Sequence, residues 1–369
     1  MRVVLAPDSF KGTAPAGAAA GALAAGWRSV RPDDELLLRP MADGGEGTLD
    51  ALTAALPGAV LHSVPGCTGP HGRPVTGRFA LLPDGTALVE LADTGGLPLL
   101  GGALAPLTAG TRGTGETIAA ALDAGARRVT VALGGSASTD GGAGLLAALG
   151  LRLLDGTGAV LPDGGGALAR AVRLDRTALR TPPPGGVRLL TDVTNPLAGP
   201  TGAAEVYGPQ KGAGPSGIAL LKAGLRRFAD LLGGDPDLPG SGAAGGTAYG
   251  LMAAWGAQVV PGAAAVAELT GLDAALAGAD LVVTGEGRFD ATSLLGKAVG
   301  EVLGRAERAG VPARIVAGEA AADADPRVLT LAALAADPAD ARRRALHWLT
   351  EAGARLARSH PRTDGRAAG

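Results

Sequence analysis

The sequence predicts an α/β fold with two domains, the first discontinuous and made from both ends of the chain. Three observations predict it. Residues 2–56 and 280–358 alternate short β-branched or leucine-rich runs with longer alanine-rich helical patterns, as β-α units do. From His62 onward the runs shorten and are punctuated by Gly and Pro, which marks a change of domain. Within that middle region, residues 129–133 lead through Gly134-Gly135-Ser136-Ala137-Ser138-Thr139-Asp140-Gly141-Gly142-Ala143-Gly144 into 145–149, reading as strand, glycine loop and helix. The boundaries expected are 1–62 with 278–369 for the discontinuous α/β domain and 63–277 for the insertion, with the site in the cleft between them.

The first strand is expected over 2–6, running into Pro7-Asp8-Ser9-Phe10-Lys11-Gly12-Thr13 and then a helix to about Trp27 capped by Thr13 or Ala14. A second strand, 35–39, ends at Met41-Ala42-Asp43-Gly44-Gly45-Glu46-Gly47-Thr48 before a helix to about Leu56. Asp84-Gly85, between alternating runs at 76–82 and 86–91, reads as a hairpin turn. Residues 111–123 read as a helix, 155–158 as a second hairpin turn and 187–191 as a strand ending in Asp192-Val193-Thr194-Asn195-Pro196. Tyr207-Gly208-Pro209-Gln210-Lys211-Gly212-Ala213 is too rich in Gly and Pro for a helix interior. Gly240-Ser241-Gly242-Ala243-Ala244-Gly245 matches a dinucleotide fingerprint as a string, but with no strand before it a helix N-terminus is the better reading. Helices follow at 247–255 and 263–277, then a strand at 280–284, the loop Gly285-Glu286-Gly287-Arg288-Phe289-Asp290, and a helix over 293–309 with Lys297 in its first turns. Strands at 314–317 and 328–331, a helix over 338–358 and a disordered tail at 359–369 complete the chain.

Composition narrows the function. The chain is 46% hydrophobic but 2% aromatic, so its cores are built mainly of Leu, Ala and Val. A formal net charge of -2 offers no footprint for nucleic acid and no polybasic membrane patch. No apolar run is long enough to span a bilayer, and the N-terminal stretch reaches Asp8 too soon for a signal peptide. A single cysteine, Cys67, precludes an internal disulfide framework. A cytoplasmic protein acting on a small molecule is expected. Only four of the 33 basic residues are lysines: Lys11, Lys211, Lys222 and Lys297. In so arginine-rich a chain, a retained lysine suggests a use for its compact ammonium, which binds phosphate as a point charge. Lys222 lies in a helical pattern and reads as a surface residue, whereas the other three adjoin glycines.

The glycine loop at 134–144 suggests a phosphate cradle, since backbone N–H groups and a helix N-terminus would converge there. Glycines also serve tight turns and close packing without any ligand. Asp8, Asp43, Asp192 and Glu286 stand at strand ends, and Asp140 and Asp290 in glycine loops. Carboxylates gathered in this way need a cation, and magnesium suits a few carboxylate oxygens with phosphates. Lysines, glycine loops and strand-end acids together point to phosphoryl transfer from a nucleotide. The alternative for Asp43 and Glu46 is first-turn capping. No P-loop, His-Glu-x-x-His or Gly-x-Ser-x-Gly motif is present, and His62, His71, His347 and His360 lack metal-ligand spacing.

At Pro7-Asp8-Ser9-Phe10-Lys11-Gly12, Ala42-Asp43-Gly44-Gly45-Glu46-Gly47-Thr48, Gly134-Gly135-Ser136-Ala137, Asp192-Val193 with Asn195-Pro196-Leu197, Gly208-Pro209-Gln210-Lys211-Gly212-Ala213 and Thr284-Gly285-Glu286-Gly287-Arg288 with Asp290, the sequence resembles the bacterial glycerate kinase family. The motifs occur in family order across nearly the whole chain. The resemblance implies a flavodoxin-like parallel-sheet domain with an inserted mixed α/β domain, and ATP-dependent phosphorylation of D-glycerate, usually to 2-phosphoglycerate. Pro15 and Ala18 replace a capping-box Ser and Glu, Gly95 stands where Ser is usual, and Ser138-Thr139-Asp140 stands for Thr-Asn-Asp.

The roles that follow are expectations. Lys11, Lys211 and Lys297 would meet phosphate or carboxylate charge, Asp43, Glu46 and Glu286 would lie near Mg2+, and Asp8 or Asp192 would act as base. Gly134, Gly135, Ser136, Asp140 and Asn195 would join Lys297 in holding ATP. Arg288 would clamp the glycerate carboxylate, unless it is paired with Asp290 across the loop. A kinase for another small hydroxy acid and a non-catalytic glycerate or nucleotide sensor are the competing readings. The oligomeric state is left open, a homodimer being one option.

Overall fold

Residues 1–294, 296–321 and 325–360 are described by the computed structural model. Two compact units divide the chain. One comprises Met1–Ala42, Asp50–Leu56 and the described residues of Val266–Gly369; the other comprises Asp43–Leu49 and Pro57–Ala265.

The first unit is a five-stranded sheet in the spatial order Val328–Thr330, Ala313–Ala320, Leu281–Phe289, Arg2–Pro7, Glu35–Leu38, every pair parallel. Numbered within this unit the order is 2-1-3-4-5, the flavodoxin-like arrangement. Helices Ala16–Val30 and Ala345–Ser359 cover one face and share a core with Val3, Leu5, Leu281 and Val283. They approach closely because small residues face each other: a Cβ on Gly26 would lie 1.8 Å from the Thr350 carbonyl oxygen, and one on Gly353 2.2 Å from that of Leu23. Trp27 is fully buried and donates its Nε1–H to Asp34 at 2.9 Å.

Five local expectations are corrected here. The first helix begins at Ala16 behind Pro15, not at a Thr13 or Ala14 cap, because the Thr13 hydroxyl donates to the Phe10 carbonyl at 2.7 Å. The stretch 285–289 is not loop but a continuation of the strand Leu281–Phe289, paired with Ala313–Ala320. Gly285 makes that pairing possible, since a Cβ there would meet the Val316 carbonyl oxygen at 2.0 Å. The helix expected over 263–277 is two helices, Gly262–Leu269 and Leu272–Leu276, broken at Gly271 with φ +68°. The final helix likewise breaks at Arg344, between Pro338–Arg343 and Ala345–Ser359. Of the tail expected to be disordered, Ser359 ends a helix and the His360 ring lies 5.9 Å from that of Trp27; 361–369 fall outside the described residues.

The second unit holds a six-stranded mixed sheet in the order Gln258–Val260, Val187–Leu190, Arg128–Ala132, Thr86–Glu90, Pro74–Leu81, Val60–Thr68. The first four strands are mutually parallel; Pro74–Leu81 runs antiparallel to both its neighbours, Val60–Thr68 and Thr86–Glu90, and is joined to Thr86–Glu90 through the expected turn at Asp84-Gly85. Asp84 fixes that turn by accepting from the Thr86 N–H at 2.9 Å and its hydroxyl at 3.0 Å. Helix Arg112–Asp123 returns the chain between two parallel strands and buries Ile118 in a core with Val89, Val131, Leu146 and Leu189. The parallel strands therefore end together, which sets their following loops side by side. Among the described residues, no helix is long and apolar enough to cross a membrane.

Candidate functional site

In the second unit, the loops after the parallel strands surround a cavity of about 400 Å³. Leu97, Pro98, Leu133, Val193 and Tyr207 give it apolar walls, and Gly134, Gly135, Ser136, Glu46 and Lys211 supply its polar side. A mostly apolar cavity with a few placed polar groups is the usual form of a small-ligand site.

Lys211 is the cation among its lining residues. It ends the 3-10 turn Pro209–Lys211, and Gly212 beyond it adopts φ +93°. Its side chain is 2% exposed, and the ammonium donates to Ser136 Oγ at 2.9 Å and to the Ser138 carbonyl at 2.5 Å. Burial lowers its pKa to about 8, opposed by the negative charge of Asp140. At neutral pH it remains an ammonium held beside the cavity by the glycine loop.

That loop is built differently from an open phosphate cradle. Asp140 is fully buried and accepts from the Thr111 N–H at 3.1 Å, the Thr111 hydroxyl at 2.8 Å, and the N–H groups of Gly142 at 3.0 Å and Gly144 at 3.2 Å. Burial raises its pKa, against the lowering effect of these bonds. The start of helix Ala143–Ala148 is thus occupied by the protein's own carboxylate. Two further loop donors are spent, the Gly134 N–H on the Gly44 carbonyl at 3.0 Å and the Ala137 N–H on that of Gly95 at 2.8 Å. Gly134 and Gly135 still line the cavity, and their lack of side chains matters: a Cβ on Gly134 would lie 2.3 Å from the Gly45 Cα. Asn195 likewise braces a loop, donating to the Thr201 carbonyl at 2.8 Å and accepting from the Tyr207 hydroxyl at 2.7 Å.

Glu46 is exposed and lines the cavity, and Asp43 in the same loop accepts from the Gly45 N–H at 3.0 Å. Asp192 stands between two lining residues, Thr191 and Val193, and accepts from the Gly262 N–H at 2.8 Å. Gly245, from the stretch that resembled a dinucleotide fingerprint, also lines the cavity; it belongs to the left-handed start of helix Ala243–Trp255. Sequence reasoning missed Glu90, 3% exposed at the end of Thr86–Glu90, whose signal was an acid closing an apolar run. It also missed the parts of Tyr207 and Gln210 in the wall.

The remaining expected residues belong to the first unit, at the carboxyl ends of the two strands where its order reverses. The Asp8 N–H donates to the Gly285 carbonyl at 2.8 Å, and its carboxylate accepts from the Ser9 N–H at 2.6 Å. Lys11 is exposed. Glu286 and Arg288 lie on the strand Leu281–Phe289, with the Arg288 Nε 3.9 Å from the Asp290 carboxylate and 78% of its side chain exposed. Lys297 immediately precedes helix Ala298–Ala309 rather than lying in its first turns, and donates to the Thr292 hydroxyl at 3.2 Å. The Asp290 carboxyl is lowered chiefly by its bond from that hydroxyl. Among the described residues, no three His, Cys, Asp or Glu side chains are grouped as a metal cage.

Residues 3–360 match the model of the glycerate kinase family. The chain is 41% identical over 333 residues to the glycerate kinase of Bacillus subtilis strain 168, covering 88% of this chain and 87% of that one. It is 40% identical over 305 residues to the glycerate 2-kinase of Escherichia coli strain K12, covering 80% of each. A crystal structure of a candidate glycerate kinase 2 from Salmonella typhimurium LT2 aligns over 97% of both chains with a TM-score of 0.84 and 37% identity.

Proposed function

Because the chain belongs to the glycerate kinase family, we propose that this kinase transfers the terminal phosphoryl group of ATP to the 2-hydroxyl of D-glycerate, giving 2-phosphoglycerate and ADP. The observation that carries the reading is the buried Lys211 ammonium held by Ser136 at the side of a cavity of about 400 Å³. Apolar walls suit a nucleotide base, and a fixed cation suits phosphate or carboxylate oxygens.

In the reaction, the glycerate oxygen bonds to phosphorus, the bond from phosphorus to ADP breaks, and the hydroxyl proton passes to a carboxylate. Asp192 and Asp8 are the carboxylates proposed to take it. Asp192 accepts from the Gly262 N–H, which helps to hold it just beyond the strand Val187–Leu190. Asp43, Glu46 or Glu286 would hold magnesium, which commonly takes one or two carboxylates and needs no three-residue cage. Magnesium, when bound, neutralises phosphate charge. Lys11, Lys211 and Lys297 supply positive charge, and Arg288 would grip the glycerate carboxylate with its planar fork.

The test is to incubate purified protein with magnesium-ATP and D-glycerate, follow ADP, and identify the product by NMR. Rapid ADP release with 2-phosphoglycerate is expected. The 3-isomer would overturn the choice of hydroxyl. Binding without turnover would make the protein a sensor, and neither would direct the search to other small hydroxy acids.

A further inference from the structure

We propose that Glu90 positions Glu46 at the cavity, a role that rests on the kinase reading of that site. Glu90 ends a buried strand and is 3% exposed, a depth at which a carboxylate must be strongly hydrogen-bonded. Its Oε1 accepts from the Gly47 N–H and its Oε2 from the Leu49 N–H, each at 2.9 Å. Both are charge-assisted bonds, so each carboxylate oxygen grips one turn of the same loop.

The other end of the loop is held independently. The Gly44 carbonyl accepts from the Gly134 N–H at 3.0 Å, the Asp43 carboxylate accepts from the Gly45 N–H at 3.0 Å, and the Thr48 hydroxyl donates to the Gly45 carbonyl at 2.7 Å. Gly44 and Gly47 take φ values of +85° and +89°, which fixes the path between the anchors. Glu46 is the residue between them, and it lines the cavity with Ser136 and Lys211. Glu90 does not line that cavity, so it acts through the loop.

Glu90→Gln presents an amide NH2 to one of the two backbone N–H groups, which breaks one bond and opposes two donors. The expected result is a fall in kcat of about tenfold or more with the D-glycerate KM changed by less than about threefold. Glu46→Gln combined with Glu90→Gln should turn over no more slowly than Glu46→Gln alone, because both changes remove the same placed carboxylate. Hydrogen exchange in peptides covering 43–49 should accelerate in Glu90→Gln, and this readout does not depend on turnover. Glu90→Asp keeps the charge and should recover part of the loss; it replaces Glu90→Gln in the cycle if the latter does not fold. Losses that multiply in the double variant, unchanged exchange at 43–49, or faster exchange with turnover within about twofold of wild type would each overturn the proposal. A wild-type protein that does not phosphorylate D-glycerate would instead refute the kinase reading, with the exchange comparison still testing the grip of Glu90 on the loop.

Discussion

Lys211→Met separates what this ammonium does for the reaction from what it does to the fold. Lys211 is 2% exposed, and burial lowers its pKa from 10.5 to about 8 despite the charge of Asp140. That difference amounts to about 3 kcal/mol against the ionised form. In the opposite direction, the bonds to Ser136 Oγ and the Ser138 carbonyl are charge-assisted, at about 1.5–3 kcal/mol each, and methionine forfeits them. Together the two bonds come to about 3–6 kcal/mol, partly offset by the cost of the buried charge, so the substitution should change stability at pH 7 by no more than about 3 kcal/mol. Turnover should fall at least about 100-fold, equivalent to about 2.7 kcal/mol of transition-state stabilisation. The pH dependence carries a definite sign. The folded pKa lies below the unfolded one, so the unfolded chain binds more protons between about pH 8 and pH 10.5. The cost of burying the charge is full below about pH 8 and is relieved as pH rises through that window, so the wild type gains stability there relative to the variant. Urea unfolding of both proteins at pH 7 and pH 10, with turnover on magnesium-ATP and D-glycerate, measures all three quantities. A variant that unfolds several kcal/mol more easily at pH 7 yet turns over normally when folded would refute this reasoning and make Lys211 a structural strut.

Three further substitutions test other parts of the molecule. Gly134→Ala sets a Cβ 2.3 Å from the Gly45 Cα, backbone that cannot rotate away, and is expected to cost about 1–3 kcal/mol or more in thermal melts and to lower turnover by shifting the 43–47 loop. Arg288→Lys keeps the charge but loses the planar fork; a rise of about tenfold in the D-glycerate KM is expected, and an unchanged KM would remove the carboxylate clamp. At Asp34, burial raises the carboxyl, but hydrogen bonds from Arg31, the Met1 amine and Trp27 outweigh it and hold the pKa at about 2 instead of 3.8. Stability from a lowered carboxyl is complete above pH 3.8 and lost as pH falls through about 2, so Asp34→Asn should cost about 1–2 kcal/mol at pH 7 and progressively less in acid, read by melts from pH 2.5 to 7.

The sequence reveals the strands because their signal is local: β-branched and leucine runs at 2–6, 129–133, 187–191 and 280–284 read as strands whatever packs on them. The glycine and acid loops at their ends are legible for the same reason. What surrounds a strand end is not local. The parallel partner of 285–289 is Ala313–Ala320, more than twenty residues on, and only that pairing turns an apparent loop containing Gly285 and Gly287 into strand. Glu90 gave a single acid at the end of an apolar run, with nothing nearby in sequence to indicate that the N–H groups of Gly47 and Leu49 would meet it.

Asp140 shows how the direction of one side chain changes the chemistry of a motif. Had its carboxylate faced outward, the glycine loop would have offered the start of a helix to an anion, as the strand, loop and helix pattern suggests. Instead the carboxylate turns inward onto Thr111, Gly142 and Gly144, and it occupies that helix start itself. The cavity wall at this loop carries the Ser136 hydroxyl and, bonded to it, the Lys211 ammonium. The same buried carboxylate opposes the loss of charge that burial imposes on Lys211. The cation beside the loop thus arrives on a side chain from a separate turn, Pro209–Lys211.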